Sequence, residues 1–196
     1  MSRAPKFNFF RLVSRNLKNR PYRNIPTLLV FAVITMIGAG LFTPAAAATL
    51  TKAEAEMLTF MREEEKLAHD VYLVMYERWG AVIFSSILAS EQRHMETMLK
   101  MLNKYGLSDP AAGRGIGEFA NAEIQGLYDA LIAQGNISLI DALHVGVEIE
   151  NTDIFDIQNA LAGTSRKDLR TAYTNLLEGS FNHLQAFEKA IEVQGQ

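Results

Sequence analysis

Val82-Ile-Phe-Ser-Ser-Ile-Leu-Ala-Ser-Glu-Gln-Arg-His-Met-Glu-Thr-Met-Leu-Lys-Met-Leu-Asn-Lys-Tyr105, closed by Gly106, is the stretch whose periodicity decides the fold. Phe84, Ile87, Glu91, His94, Met98 and Leu102 recur at steps of three and four, the spacing of one face of a helix. The outer members of that face are apolar. Its middle is Glu91-Gln-Arg-His94, and the i, i+3 spacing sets both polar heads on the same side. The stretch reads as a core helix with two titratable groups where apolar residues belong.

Upstream, Thr51-Lys-Ala-Glu54 has the pattern of a capping box and opens a helix that runs to about Trp79, before Gly80. Its apolar face is Leu58, Met61, Glu65, Ala68, Tyr72, Met75 and Trp79. Downstream, the segment from Leu107 to Gly117 carries too much Gly and Pro for a helix interior. A short helix is expected over Ala122–Gln134, stopped by Gly135-Asn136. A third long helix begins near Ser138, with Asp141 three residues on, and ends near Gly163. Its face is Leu143, Gly146, Glu150, Ile154, Ile157 and Leu161, with Asp153 flanking. The fourth starts after Ser165, runs to about Val193, and shows Leu169, Tyr173, Leu176, Ser180, His183, Phe187 and Ile191. No strand-like alternation is sustained, so the fold class is all-α. Tight turns at Gly80 and at Gly163-Thr164 make two antiparallel hairpins. The roughly 30 residues between them are enough to cross a four-helix bundle from end to end.

The chain has 196 residues, 48% of them apolar, and no cysteine. Disulfides, thiolate catalysis and cysteine-ligated metal are thereby excluded, so any metal must be held by nitrogen and oxygen. Residues 1–24 carry seven Lys and Arg and no acid, leaving 12 basic against 22 acidic side chains in the rest. That acidic body argues against nucleic acid as a partner. After the basic stretch, Ile25–Phe42 is uncharged, and Ala46–Ala48 offers a small-residue cleavage site. Residues 1–49 are therefore expected to be a signal or anchor with a hydrophobic helix, reaching the membrane and leaving 50–196 on the extracytoplasmic side.

Each of the four long helices has a titratable interruption in its apolar face: Glu65, Glu91 with His94, Glu150, and His183. Burying a carboxylate without a partner costs several kcal/mol, and a shared divalent cation offsets that cost. Met61, Met75, Met98 and Met101 read as packing residues, and Glu63 and Glu64 as a solvated charge run. The competing reading is a metal-free network of buried acids and histidines. The level of His183 is a difficulty. Glu150 lies 13 residues before Gly163 and His183 lies 20 after it. Seven residues of stagger amount to about 10 Å at 1.5 Å per residue.

Glu65-Lys-Leu-Ala68-His-Asp-Val-Tyr72 resembles the first-helix pattern of rubrerythrins, in which a ligand Glu is followed by Ala and Tyr. Met61–Ala68, Ser90–Met95, Glu150–Ile154 and Gly179–Phe187, in that order, more closely resemble an uncharacterised ferritin-like family catalogued as domain of unknown function 2202. The resemblance covers roughly Met57–Ala190. It implies a ferritin-like bundle with two ions, iron or manganese, held by Glu65, Glu91, His94 and Glu150, with Asp153 and His183 as further candidate ligands. Tyr72 is then the candidate catalytic group, tuning or guarding the site by hydrogen bonding. Ser180 stands where the pattern wants a Glu before His183; Asp153 could compensate as a ligand or as an imidazole's partner. No rubredoxin-like cysteine module is present. The expected function is oxidation of Fe(II), or reduction of dioxygen or peroxide. The alternative is a non-catalytic, membrane-tethered module that sequesters metal or binds a partner. Homodimer formation is left open.

Overall fold

The computed structural model describes residues 49–194, and the expected N-terminal helix, signal or anchor lies outside them. Five helices make up the described chain: α1 Lys52–Trp79, α2 Val82–Tyr105, α3 Ala122–Gly135, α4 Leu139–Ala162 and α5 Lys167–Gln194. No strand occurs among the described residues. None of the described helices is long and apolar enough to cross a membrane.

The helix ends follow from local chemistry. Thr51 accepts the Glu54 N–H while the Glu54 carboxylate accepts the Thr51 N–H, so α1 starts on a complete capping box. Gly80 and Gly106 close α1 and α2 in the left-handed conformation, at φ of 66° and 68°, which a side chain would resist. Ser138 caps α4 through the Asp141 N–H.

Tertiary contacts set the directions. The α1–α2 and α4–α5 hairpins pair side by side, with α1 against α4 and α2 against α5. Glu54, at the start of α1, meets Thr164 and Arg166 just past the end of α4. Trp79, at the end of α1, donates its indole N–H to the Gly135 carbonyl, just before α4 begins. Hence α4 runs antiparallel to α1. Lys104 and Tyr105, at the end of α2, both donate to Asp168 at the start of α5, so that pair is antiparallel too. The long connection therefore carries the chain from one end of the bundle to the other, as its length implied.

That connection lies along α1 and is fastened by α1 side chains. Arg62 makes a two-pronged contact with Asp109. Lys66 reaches Asp70 and the Gly115 carbonyl, and Asp70 accepts the Gly117 N–H. Glu63 accepts the N–H groups of Ala120 and Asn121 at the entry to α3. The expectation that Glu63 and Glu64 form a solvated run is thus wrong: both are buried. The crossover covers Glu63, while Glu64 is enclosed at the side of α1 that meets α4, near Asp156.

The core divides in two. One apolar group gathers Tyr72, Phe84, Leu143 and Phe187 with their neighbours, and the other gathers Leu58, Met61, Met98, Leu102, Ile157 and Tyr173. Between them lies a polar layer: Glu65, Glu91, His94, Glu150, Asp153, Ser180 and His183, all buried. Continuous apolar packing would be cheaper to fold.

Candidate metal centre

Glu91 is the hinge of the polar layer. One of its oxygens, Oε2, lies 3.2 Å from Nδ1 of His94, one turn further along α2. The other, Oε1, lies 2.7 Å from Nδ1 of His183, on α5. His94 Nδ1 is also 3.1 Å from Glu65 Oε2, and His183 Nδ1 is 3.5 Å from Glu150 Oε1. Two groups result, Glu65–Glu91–His94 and Glu91–Glu150–His183, each with its three donor atoms within 4.8 Å of one another. They share Glu91, and the two imidazole rings stand 5.6 Å apart, centre to centre.

The stagger expected for His183 is corrected by the register of α4 and α5. Gly146 faces Phe187, Glu150 faces His183, and Asp153 faces Ser180, a steady antiparallel match. The residues between Ala162 and Lys167 form the connection and add no helical rise between the facing positions. From the helix ends, Glu150 is 12 residues back and His183 is 16 residues in, a difference of about 6 Å at 1.5 Å per residue.

Burial and neighbouring charge shape the protonation of the layer. Burial pushes Glu65 up to about 7, with His94 pulling it back and Glu91 adding to the rise. Glu150 rises to about 7, also chiefly by burial. Burial would raise Glu91 too, but its contacts with His183 and His94 win and hold it at about 2. His94 is pulled down by burial and more strongly up by Glu65 and Glu91, to about 11. His183 rises to about 9 against burial, through Glu150 and Glu91. Asp153 is raised well above the usual carboxyl range, by burial first and then by Glu65 and Glu150. Protons thus carry the positive charge in the metal-free layer.

The donor set fits a metal. Glu65 Oε1, Glu91 Oε1, Asp153 Oδ1 and His183 Nδ1 are buried and lack a hydrogen-bond partner. Glu91 Oε1 and His183 Nδ1 are near each other yet not aligned as donor and acceptor. Carboxylate and imidazole are the donors that iron and manganese accept, and cations in the two groups would satisfy the orphaned atoms of Glu65, Glu91 and His183.

Other candidates take different positions. Tyr72, fully buried, donates its hydroxyl to Glu150 Oε1 at 2.6 Å. Burial, then the charges of Glu150 and Glu91, hold its phenol well above its ordinary value, so the proton stays. Asp153 belongs to neither three-donor group; it accepts the Ser180 hydroxyl through Oδ2. Gly179 was not singled out by sequence reasoning. A Cβ there would stand 2.5 Å from Nε2 of His94, so the glycine makes room for that ring. Its only signal was a small residue beside Ser180 in the seam, and its need arises from a different helix.

Fold and site together define a helical bundle with a buried, paired carboxylate–histidine cluster able to hold metal ions. The chain belongs to the DUF2202 family, described as an uncharacterised protein domain, whose model matches residues 54–196. A relative, the uncharacterised protein MJ0754 of Methanocaldococcus jannaschii, is 42% identical over 146 residues, covering 74% of this chain and 79% of its own. The crystal structure of hypothetical protein MJ0754 superposes with a TM-score of 0.75 at 40% identity, over 79% of this chain and 88% of that one. A DUF305 fragment from Deinococcus radiodurans shares the fold at a TM-score of 0.55 and 18% identity, over 74% of this chain and 98% of that one.

Proposed function

We propose that this protein is a ferritin-like, rubrerythrin-like two-metal protein with a carboxylate-bridged iron pair, manganese being the alternative, acting on Fe(II), dioxygen or peroxide. The observation that carries the reading is Glu91, whose two oxygens face two histidines, each with a glutamate of its own. A single ion would use one half of that arrangement and leave the other half buried and unsatisfied.

Glu65 and His94 would hold one ion, Glu150 and His183 the other, with Glu91 between them. An iron pair supplies redox chemistry toward dioxygen or peroxide that no side chain here provides. Tyr72 keeps a proton on its hydroxyl and, by donating it to Glu150, fixes how that carboxylate is turned. Asp153, held through one oxygen by Ser180, keeps the other free where the family pattern would place a glutamate on α5. The two apolar clusters on either side keep bulk water from the layer. With no cysteine, electrons would come from another molecule. The seven cations of residues 1–24 and the apolar run after them support tethering or export, with the body outside the cytoplasm.

The test is metal analysis after anaerobic Fe(II) loading, followed by dioxygen and peroxide consumption. The expected result is about two irons per chain with turnover, both lost in Glu91→Ala. Iron bound without turnover would make the protein a sequestering module instead. Less than about one iron per chain, unchanged by Glu91→Ala, would overturn the reading.

A further inference from the structure

A groove of about 700 Å3 runs along the seam between α2 and α5 and shares no residue with the metal centre. Met101, Ala172 and the ring of Tyr105 give it apolar walls. At the end where α5 begins, Lys104, Arg166 and Lys167 line it, and Asp168 is the one acid of its lining. Thr97 and Asn175 bound the other end. A volume of this size, mostly apolar with a few placed polar groups, suits a small organic ligand.

The charge of the groove runs against that of the chain around it. Residues 25–196 carry 12 basic and 22 acidic side chains, yet three cations meet one acid here. Lys104 and Arg166 converge on one ring, lying 5.8 and 5.7 Å from the centre of Tyr105. Asp168 is already engaged, accepting from Lys104 at 2.7 Å and from the Tyr105 hydroxyl at 2.5 Å. Arg166 is held in place by Glu54 and by the Thr49 carbonyl. Lys167 is exposed and pairs with no acid among the described residues. Positive charge is thus left over beside an apolar surface, the setting that gathers an anion with an apolar body.

The groove also points at the centre. α2 and α5 are antiparallel, with Tyr105 beside Asp168 and His94 beside Gly179. Thr97 is three residues from His94 and Asn175 is four from Gly179, roughly 4.5 and 6 Å of helical rise. Gly179 has no side chain to cover the outer edge of the His94 ring. The inner end of the groove therefore lies about one helical turn from a candidate metal ligand.

We propose that the groove binds a phosphorylated aromatic molecule of nucleotide size, its phosphate at Lys104, Arg166 and Lys167 and its ring toward Thr97 and Asn175. Binding stands on the groove alone, whereas the use made of it rests on the two-metal reading. A reduced flavin seated there gives two electrons to the centre and releases two protons. Two Fe(III) become two Fe(II), and the flavin leaves oxidised.

The experiment titrates the metal-free, full-length protein into flavin mononucleotide and follows fluorescence anisotropy, with riboflavin, the same ring without phosphate, alongside. Wild type should bind about one flavin mononucleotide per chain and hold riboflavin about tenfold more weakly. Lys167→Glu, a change at an exposed position, should weaken flavin mononucleotide by about tenfold and leave riboflavin unchanged. Asn175→Trp, which fills the ring end, should weaken both. The proposal is overturned by the absence of saturable binding, by binding that neither substitution alters, or by inorganic phosphate displacing the flavin at equal concentration. Glu91→Ala should bind flavin mononucleotide as wild type does, because it lies outside the groove. Iron loading without flavin binding would sink the groove and leave the two-metal reading standing; flavin binding without iron would do the reverse. With both bound, anaerobic reduced flavin should bleach the Fe(III) absorbance, more slowly in Lys167→Glu at unchanged iron content. Equal rates would remove the electron-donor role.

Discussion

Gly179→Ala probes the centre without touching any donor atom. An alanine Cβ at that position would lie 2.5 Å from His94 Nε2 and 2.6 Å from its Cε1. Ordinary carbon–nitrogen contact is roughly 3.5 Å, so the ring must retreat by about 1 Å or α5 must shift. His94 has little room to retreat, because its Nδ1 is held at 3.1 Å by Glu65 and 3.2 Å by Glu91. Overpacking of this kind costs about 1–3 kcal/mol, against a gain of about 1 kcal/mol for replacing a helix-interior glycine with alanine. The net expectation is a loss of up to about 2 kcal/mol, in contrast to Gly126→Ala. Gly126 sits inside α3 with nothing near its absent Cβ, so alanine there should stabilise by about 0.5–1 kcal/mol. Urea unfolding of both variants, metal-free and with Mn2+, reads the difference. Gly179→Ala should also lose most of the stabilisation that metal gives the wild type, because His94 no longer faces the site. If it gained stability as Gly126→Ala does and bound Mn2+ as well as wild type, the claim that Gly179 positions His94 would be refuted.

Glu54 should make the protein sensitive to acid. Burial works to raise it, but hydrogen bonds from Thr164, Thr51 and Arg166 hold it at about 2, below its ordinary 4.5. A lowered folded-state value stabilises fully above 4.5 and is lost as pH falls toward 2, so Glu54→Gln should flatten acid unfolding in that window when followed by circular dichroism. Glu63→Ala should loosen the crossover: with the oxygen that accepts the Ala120 and Asn121 N–H groups gone, about 1–3 kcal/mol of local stability is lost. Limited proteolysis would then cut within residues 107–121 earlier than in wild type, with the four long helices intact.

The parts of the fold that were legible in the sequence are those fixed by nearby residues. Thr51 with Glu54, Gly80, Gly106, and Ser138 with Asp141 set their helix ends through contacts only a few positions apart. The seams are equally local, and their three- and four-residue spacing alone marks Glu65, Glu91, His94 and Glu150 as buried. His183 was misjudged in level because the count was centred on Gly163, whereas the helices face each other about a later point in the connection. Nothing within the hairpin announces that shift; Thr164 and Arg166 are tied to Glu54, more than a hundred residues earlier. Glu63 was misread for the same reason, since its ligands are backbone N–H groups on a crossover far along the chain. Gly179 is invisible until His94 is laid over it.

Charge balance sets what metal loading must do to the buried acids. Glu64, Glu65, Glu91, Glu150, Asp153 and Asp156 are six buried carboxyl groups in neighbouring turns of three helices, accompanied by only two imidazoles. Metal-free, the layer stays close to neutral only by holding protons, as the raised values of Glu65, Glu150, Asp153 and both histidines indicate. Metal needs those histidines neutral and those acids ionised, so loading must expel the protons. Two divalent ions at the centre would match four of the six negative charges, while Glu64, raised well above its ordinary value by burial and by Asp156, keeps its own proton. Proton release on Mn2+ binding, measured in weakly buffered solution, should therefore be smaller in Glu91→Ala than in wild type. Equal release would mean that metal does not enter the layer around Glu91.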